Sequence, residues 1–315
     1  MAVPPLPERR RPPRVRLIVR TSLSLAALAA LCAGVIAAAA PTPAVAPQQS
    51  GWELVILGTA QDAGSPQLGC QQDLCVARRE GRRPIERVSS LGLVHQPSGR
   101  AYLFDATPDL RSQVHDLTGG RAPDGIFLTH GHIGHYTGLM YLGRESMNAS
   151  RVPVHATDRM WSFLSANGPW SQLVTLNNIT HARLQPDVAV ALPEGLTVTP
   201  FLVPHRDEFT DTVGFLITGP RKKALFIPDI DQWSKWNRDI GALADTVDYA
   251  FVDGTFASPS EIPGRSIADI PHPMMPVTRE LFKGRRAALW FIHLNHTNRE
   301  LDAPDVVKDR ARFVM

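Results

Sequence analysis

Cysteine is scarce: 315 residues contain three, and Cys32 falls inside an apolar N-terminal run. The other two, Cys70 and Cys75, leave room for a single disulfide in an oxidising compartment, or for part of a metal site. Charge of one sign is also scarce in the body of the chain. The formal net charge is +3, but Arg9, Arg10, Arg11, Arg14, Arg16 and Arg20 face only Glu8 at the N-terminus. The remainder is close to neutral or slightly acidic and gives no ground for a nucleic-acid partner. No internal repeat is visible, and no low-complexity tract beyond the Ala-rich start. With 43% hydrophobic, 20% charged and 7% aromatic residues, the chain is neither fibrous nor disordered. Its length supports a sizeable core, in one large α/β domain or two smaller ones.

The N-terminus carries a basic region, an apolar run from Thr21 to Ala40, and then PTPAVAPQQS, with Ala44 and Ala46 in a small-x-small arrangement. This reads as a secretory signal ending near Ala46. The run is also just long enough for an uncleaved membrane anchor. Lipid attachment at Cys32 is disfavoured by the bulk of Leu31 before it. The expected organisation is a signal over 1–46, a linker over 47–50 and one domain over 51–315. The domain would be exported to the periplasm or beyond, touching membrane only through the signal or anchor.

From Trp52 onward, short apolar runs bounded by turn formers predict strands at WELVILG, SLGLVHQ, AYLFDAT, VPVHAT, LTVTPFLVPH, TVGFLITG, KALFIPD, DYAFVDGT and AALWFIHLN. TPDLRSQVHDL reads as a helix with Thr107 as N-cap and Pro108 at the first helical position. DRMWSFLSAN and DQWSKWNRDI also carry helical patterns. Strands interspersed with helices imply α/β layers.

The strongest local signal is Thr129-His130-Gly131-His132-Ile133-Gly134-His135, directly after the apolar Ile126-Phe127-Leu128. Three imidazoles within six residues are hard to reconcile with core packing, because neutral imidazole is the commonest metal ligand and a short turn lets alternate residues converge on one ion. THGHIGH resembles the H-x-H-x-D-H signature of the metallo-β-lactamase superfamily. The resemblance implies a four-layer αββα sandwich with one or two metals at the strand ends. It also implies roles for further residues: Asp105 as the aspartate that orients the histidine loop, His205 as a third-motif ligand, Asp229 as the bridging carboxylate and His293 as the last histidine. Gly134 stands where the family has an aspartate of the second metal site. The first site, His130, His132, His205 and Asp229, is then complete. The second keeps His135, His293 and Asp229, so one firmly bound metal and a weaker or absent second are expected. Zn²⁺ suits this donor set, and Fe²⁺ or Mn²⁺ accept it too.

GTAQDAGSPQLGC, FDATPDLRSQ, HYTGLMYL, YAFVDGTF and FIHLNHTN resemble coenzyme PQQ synthesis protein B and its relatives, over nearly the whole chain after Leu54. The intact histidines are closer to the phosphodiesterase-like branch of the superfamily. That branch carries a structural zinc on a C-x-C-x-x-C loop and a histidine, which here correspond to Cys70, Cys75 and His296, with Gln72 in place of the middle cysteine. The site is one ligand short; Asp73 is a candidate substitute, and a disulfide between the cysteines is the alternative. His272, in ADIPHPMMP, lies where related proteins place a histidine near the metal and is the candidate proton donor, or else a loop histidine without a role. His95, His115, His155 and His181 read as packing or surface residues. The expected activity is metal-dependent hydrolysis of a small-molecule ester, phosphodiester or amide, with Asp229 and His272 in catalytic roles. Two alternatives are a non-hydrolytic protein that binds or carries PQQ or its precursor, and an Fe²⁺ oxidation site.

Overall fold

The computed structural model describes residues 51–315 apart from Pro263, Arg265, Ile267 and Ala268; the signal and the linker fall outside the described residues. No described helix is long and apolar enough to cross a membrane.

Thirteen strands among the described residues form two sheets. The first runs in the order β13 (Arg312–Val314), β1 (Trp52–Gly58), β2 (Ser90–His95), β3 (Arg100–Phe104), β4 (Gly125–Phe127), β5 (Val152–Ala156), β6 (Ile179–Arg183). The second runs β12 (Ala288–Ile292), β11 (Tyr249–Asp253), β10 (Lys223–Ile227), β9 (Val213–Thr218), β8 (Leu196–Leu202), β7 (Val190–Leu192). Pairing is parallel from β3 to β6 and from β10 to β12, and antiparallel elsewhere. The parallel strands of each sheet therefore end on a common edge, and the loops leaving that edge carry the histidines.

Period-two alternation sorts each strand between two cores. Leu54 and Ile56 of β1, Phe104 of β3, Phe226 of β10 and Phe251 of β11 meet in one cluster. Their sequence neighbours Val55, Leu57 and Leu103 pack on the outer face of the first sheet with Leu110, Val114 and Leu117 of α2 (Leu110–Thr118). Leu225, Ile227 and Val252 pack on the outer face of the second with α6 (Ile240–Ala244) and Phe282 of α7 (Met275–Phe282). Three apolar layers between two sheets and two sets of helices make the expected αββα sandwich. The remaining helices are α1 (Asp73–Arg79), α3 (Ile133–Tyr136), α4 (Asp158–Ala166) and α5 (Trp170–Thr175).

Two local expectations need correction. α2 begins at Leu110 with Asp109, not Thr107, as its N-cap. The Thr107 hydroxyl instead donates to Gln113 Oε1 (2.7 Å), whose amide donates to the carbonyls of Leu57 and Val88. The same hydroxyl also accepts from the Asp109 N–H (3.1 Å), so Thr107 caps the turn that leads into α2 rather than the helix itself. DQWSKWNRDI forms only a 3₁₀ turn at Trp233–Lys235. Trp233 and Trp236 both turn into the outer core, their indole N–H groups donating to Thr278 Oγ1 and the Leu202 carbonyl (both 2.8 Å), and the backbone becomes extended at Trp236 (ψ 136°) directly after the turn.

Candidate metal centre

β3 and β12 are each followed directly by a residue with left-handed backbone, Asp105 (φ 65°) and His293 (φ 61°). Non-glycine residues rarely adopt this region, and it needs surrounding structure to hold it. The Asp105 N–H donates to the Phe127 carbonyl (2.8 Å), and the His293 N–H to Ser89 Oγ (3.1 Å). The reversal turns both side chains out of the ladder and into the space between the sheet edges.

A threonine–aspartate pair then fixes the imidazoles on each sheet. On the first, Asp105 is fully buried and accepts from the Thr129 amide and hydroxyl (2.8 and 2.9 Å) and from His135 Nδ1 (2.8 Å). Thr129 Oγ1 in turn faces His130 Nδ1 at 3.0 Å. On the second, Asp253 accepts from the Thr255 hydroxyl (2.6 Å) and from His272 Nδ1 (2.8 Å), and Thr255 Oγ1 faces His293 Nδ1 at 3.0 Å. A proton held on each Nδ1 leaves the Nε2 lone pairs of His130, His135 and His293 facing inward. His132 is bound the other way round: its Nε2 meets Glu208 Oε2 (2.9 Å), which frees Nδ1.

These lone pairs converge. His130 Nε2 lies 2.9 Å from His132 Nδ1, which lies 3.2 Å from His205 Nε2. Asp229 Oδ2 stands 3.4 Å from His130 Nε2 and 3.2 Å from His205 Nε2. Donors at ~2.0–2.1 Å around a tetrahedral ion stand about 3.3 Å apart. Nitrogens facing one another with no proton between them repel, and a cation at their centre removes that cost. The buried Nε2 atoms of His135 and His293 likewise have no hydrogen-bond partner. The donor set therefore fits a metal, and it groups His130, His132, His205 and Asp229 as the sequence implied.

Charge points the same way. Burial alone would raise the Asp229 carboxyl, but the imidazoles of His205, His272 and His293 outweigh it and hold the carboxyl well below the usual range. Burial and the neighbouring His135 push the His130 imidazole far down. Burial also opposes charge on His135, yet Asp105 and Asp62 pull that imidazole up to about 10.

Asp62 has no counterpart in the sequence reading. It sits in the GTAQDAG loop, its Oδ1 3.4 Å from His135 Nε2 and 3.8 Å from His293 Nε2. The second cluster is thus not short of a carboxylate, as Gly134 had implied: an acid reaches it from a different loop. Asp253 and Thr255 were also missed as supports, although DGTF was visible as a motif. Asn298, of HTN, donates to the Gly254 carbonyl (2.9 Å) and so ties that turn down.

His272 is buried, with Nδ1 held by Asp253 and 3.3 Å from Asp229 Oδ1. Burial lowers its affinity for a proton, but Asp253 and Asp229 overcome this and raise it to about 9. Beside it opens a 420 Å³ cleft lined by Gln61, Arg206, Lys235, Phe256 and Ile270. Cys70 and Cys75 are free thiols whose sulfurs converge with a His296 nitrogen; Asp73, the candidate fourth ligand, is not in the group. His155 stacks on Phe127 (4.0 Å) and His181 on Trp161 (4.6 Å), as packing residues do.

The Asp105 network yields a prediction. Asp105→Asn keeps the shape but replaces one acceptor oxygen with a donor, so either Thr129 or His135 loses its partner. Metal affinity is expected to fall roughly 10–100-fold with the far-UV circular dichroism preserved. Competition against a chromophoric chelator measures it, and wild-type affinity in the variant would remove the orienting role.

Several known proteins are similar to this chain. Coenzyme PQQ synthesis protein B of Methylobacterium sp. (strain 4-46) is 26% identical over 280 residues, covering 78% of this chain and 90% of its own. The protein of the same name from Cupriavidus necator is 28% identical over 289 residues, covering 79% and 92%. Among solved structures, Zn²⁺-bound PqqB from Methylobacterium extorquens superposes with a TM-score of 0.70 at 21% identity, over 84% of this chain and 100% of its own. A diphosphatase of the PhnP family gives 0.62 at 23%, over 83% and 96%. At those identities the structural likeness is one of fold. The profile of the β-lactamase superfamily domain matches residues 100–293, from the start of β3 to the last histidine of the cluster, and the chain belongs to that superfamily.

Proposed function

We propose that this protein is a metal-dependent hydrolase of small-molecule esters, phosphodiesters or amides, exported by its N-terminal segment. The observation that carries the reading is a shared carboxylate, Asp229, between two sets of inward-facing imidazole lone pairs, with His272 at the wall of the adjoining cleft. His130, His132, His205 and Asp229 would hold a cation, Zn²⁺ by preference for nitrogen donors, with His135 and His293 beside them. When bound, a divalent cation supplies Lewis acidity: it activates water near neutral pH and polarises a phosphoryl or carbonyl oxygen.

The chain's own groups do the rest. Asp105 and Thr129 keep His130 and His135 in one tautomer, while Thr255 and Asp253 do so for His293. Asp253 holds His272 Nδ1–H, which aims the other ring nitrogen away from the carboxylate; a proton there serves the leaving group. Burial of the donors keeps bulk water from competing for their lone pairs. Cys70, Cys75 and His296 form a separate cluster suited to a structural cation.

Turnover of generic aryl phosphodiesters and esters by the purified protein tests the reading, with His272→Gln as the informative variant. That variant is expected to lose about 10²-fold in kcat while keeping KM and metal content. Unchanged kcat would remove the proton-donor role. The likeness to PQQ synthesis protein B favours a second reading, a binding or carrier protein for the quinone or its precursor. Metal-replete protein that is inert towards every substrate yet binds PQQ would favour that one.

A further inference from the structure

The geometry points to an exchange of ligand between two loops: Asp62 supplies the carboxylate of the second metal position, in the place left by Gly134. This inference rests on the metal-centre reading above and extends it from one firmly held cation to two.

Space is the first argument. A Cβ on Gly134 would stand 2.5 Å from both Asp62 Cα and Asp62 Oδ1. Gly134 lies at the start of α3 and has no positive φ that would call for glycine. Its missing side chain is therefore explained by the neighbouring loop, whose backbone fills the room that any side chain at 134 would need. The second argument is how that loop is held. Ala60 makes parallel bridges to Val88 and Leu294, the Gln61 N–H donates to the Leu294 carbonyl (2.9 Å), and the Gly64 N–H closes a turn onto the Gln61 carbonyl (2.8 Å). Leu294 follows His293 directly, so the segment that presents Asp62 is anchored beside one of its two imidazole partners.

The third argument is the unmet demand at the far side. His135 and His293 are fully buried, both Nε2 atoms lack a hydrogen-bond partner, and Asp62 Oδ1 lacks one as well. Asp229 Oδ2 stands 3.9 Å from each of the two nitrogens. The two imidazoles and the Asp62 carboxylate thus form one group, with Asp229 Oδ2 close to both nitrogens, at spacings wider than direct hydrogen bonds and within reach of a shared cation.

Titration of the chelator-stripped protein with Co²⁺ alone tests this, read by elemental analysis after gel filtration and by visible d–d absorption. The cysteine cluster reports separately, through near-ultraviolet thiolate charge transfer. Wild type is expected to fill two histidine-ligated positions. Asp62→Ser should fill one with unchanged affinity and bind the second on the order of a hundredfold more weakly. Asp62→Asn, which keeps the shape but removes the charge and one acceptor oxygen, is expected to weaken the same position alone, and matching melting curves for the stripped proteins show that both variants fold. Two tight positions in both variants would overturn the exchange and leave Asp62 as an ionic partner of a protonated histidine, with the hydrolase reading intact. No histidine-ligated Co²⁺ even in wild type would overturn the metal-centre reading itself.

Discussion

Replacing Asp229 with alanine is expected to strip the histidine cluster of its metal and to lower kcat/KM by on the order of 10³-fold. Asp229 Oδ2 stands 3.2 Å from His205, 3.4 Å from His130 and 3.9 Å from both His135 and His293. Among the described residues, no other carboxylate stands within 4 Å of both sets of imidazoles. Without it, a divalent cation would have to be held at the first position by neutral nitrogens alone, in a buried setting that penalises uncompensated charge. Asp229→Asn separates charge from shape: it should retain the fold and part of the affinity, since an amide oxygen still donates but carries no charge. Elemental analysis alongside kinetics checks both variants. Near-stoichiometric metal in Asp229→Ala would show that the carboxylate is not a ligand.

The second large effect concerns stability. Phe127→Ala is expected to cost about 3–5 kcal/mol. Phe127 is fully buried, stacks on Phe104 at 4.9 Å and on His155 at 4.0 Å, and meets the edge of Phe215 at 5.7 Å. It therefore joins the two sheets at the point where β4 gives way to the histidine loop. At roughly 2–4 °C per kcal/mol for a domain of this size, the melting temperature should fall by about 10 °C. The loop hangs on the same strand end: the Phe127 carbonyl accepts from Asp105 N–H, which holds the left-handed turn. Metal affinity is expected to fall with stability, and Phe127→Leu should lose less of both. A loss under about 1 kcal/mol would mean that neighbouring rings collapse into the space, contrary to close packing. Denaturant unfolding of stripped and loaded protein distinguishes the packing loss from the loss of metal.

The apolar runs in WELVILG and AYLFDAT placed the strands because burial on both faces leaves a short segment apolar throughout. In DQWSKWNRDI the local helical pattern misled: the backbone is extended at Trp236, because tertiary packing outweighs propensity over so few residues. The edge strands β7 and β13 left little trace; each has three residues, too few for a period to register.

The histidine loop is the part that sequence by itself determined. His130 and His132 follow a strand end at a spacing that lets both rings meet one ion, while His135, three residues on, faces the second position with His293 and Asp62. His205, Asp229 and His293 could be named only through likeness to a family, because nothing local draws together residues more than sixty positions apart. Only the tertiary structure decided the rest. Asp253 and Thr255 became the support of His272 and His293 because parallel pairing of β11 with β12 sets the two strand ends side by side. Asp62 entered the site because bridges at Ala60 carry its loop across to Leu294 and into the room that Gly134 leaves open. A glycine in a motif reports that a side chain is missing; which atoms occupy its space depends on packing between distant segments, and that information is not local to the chain.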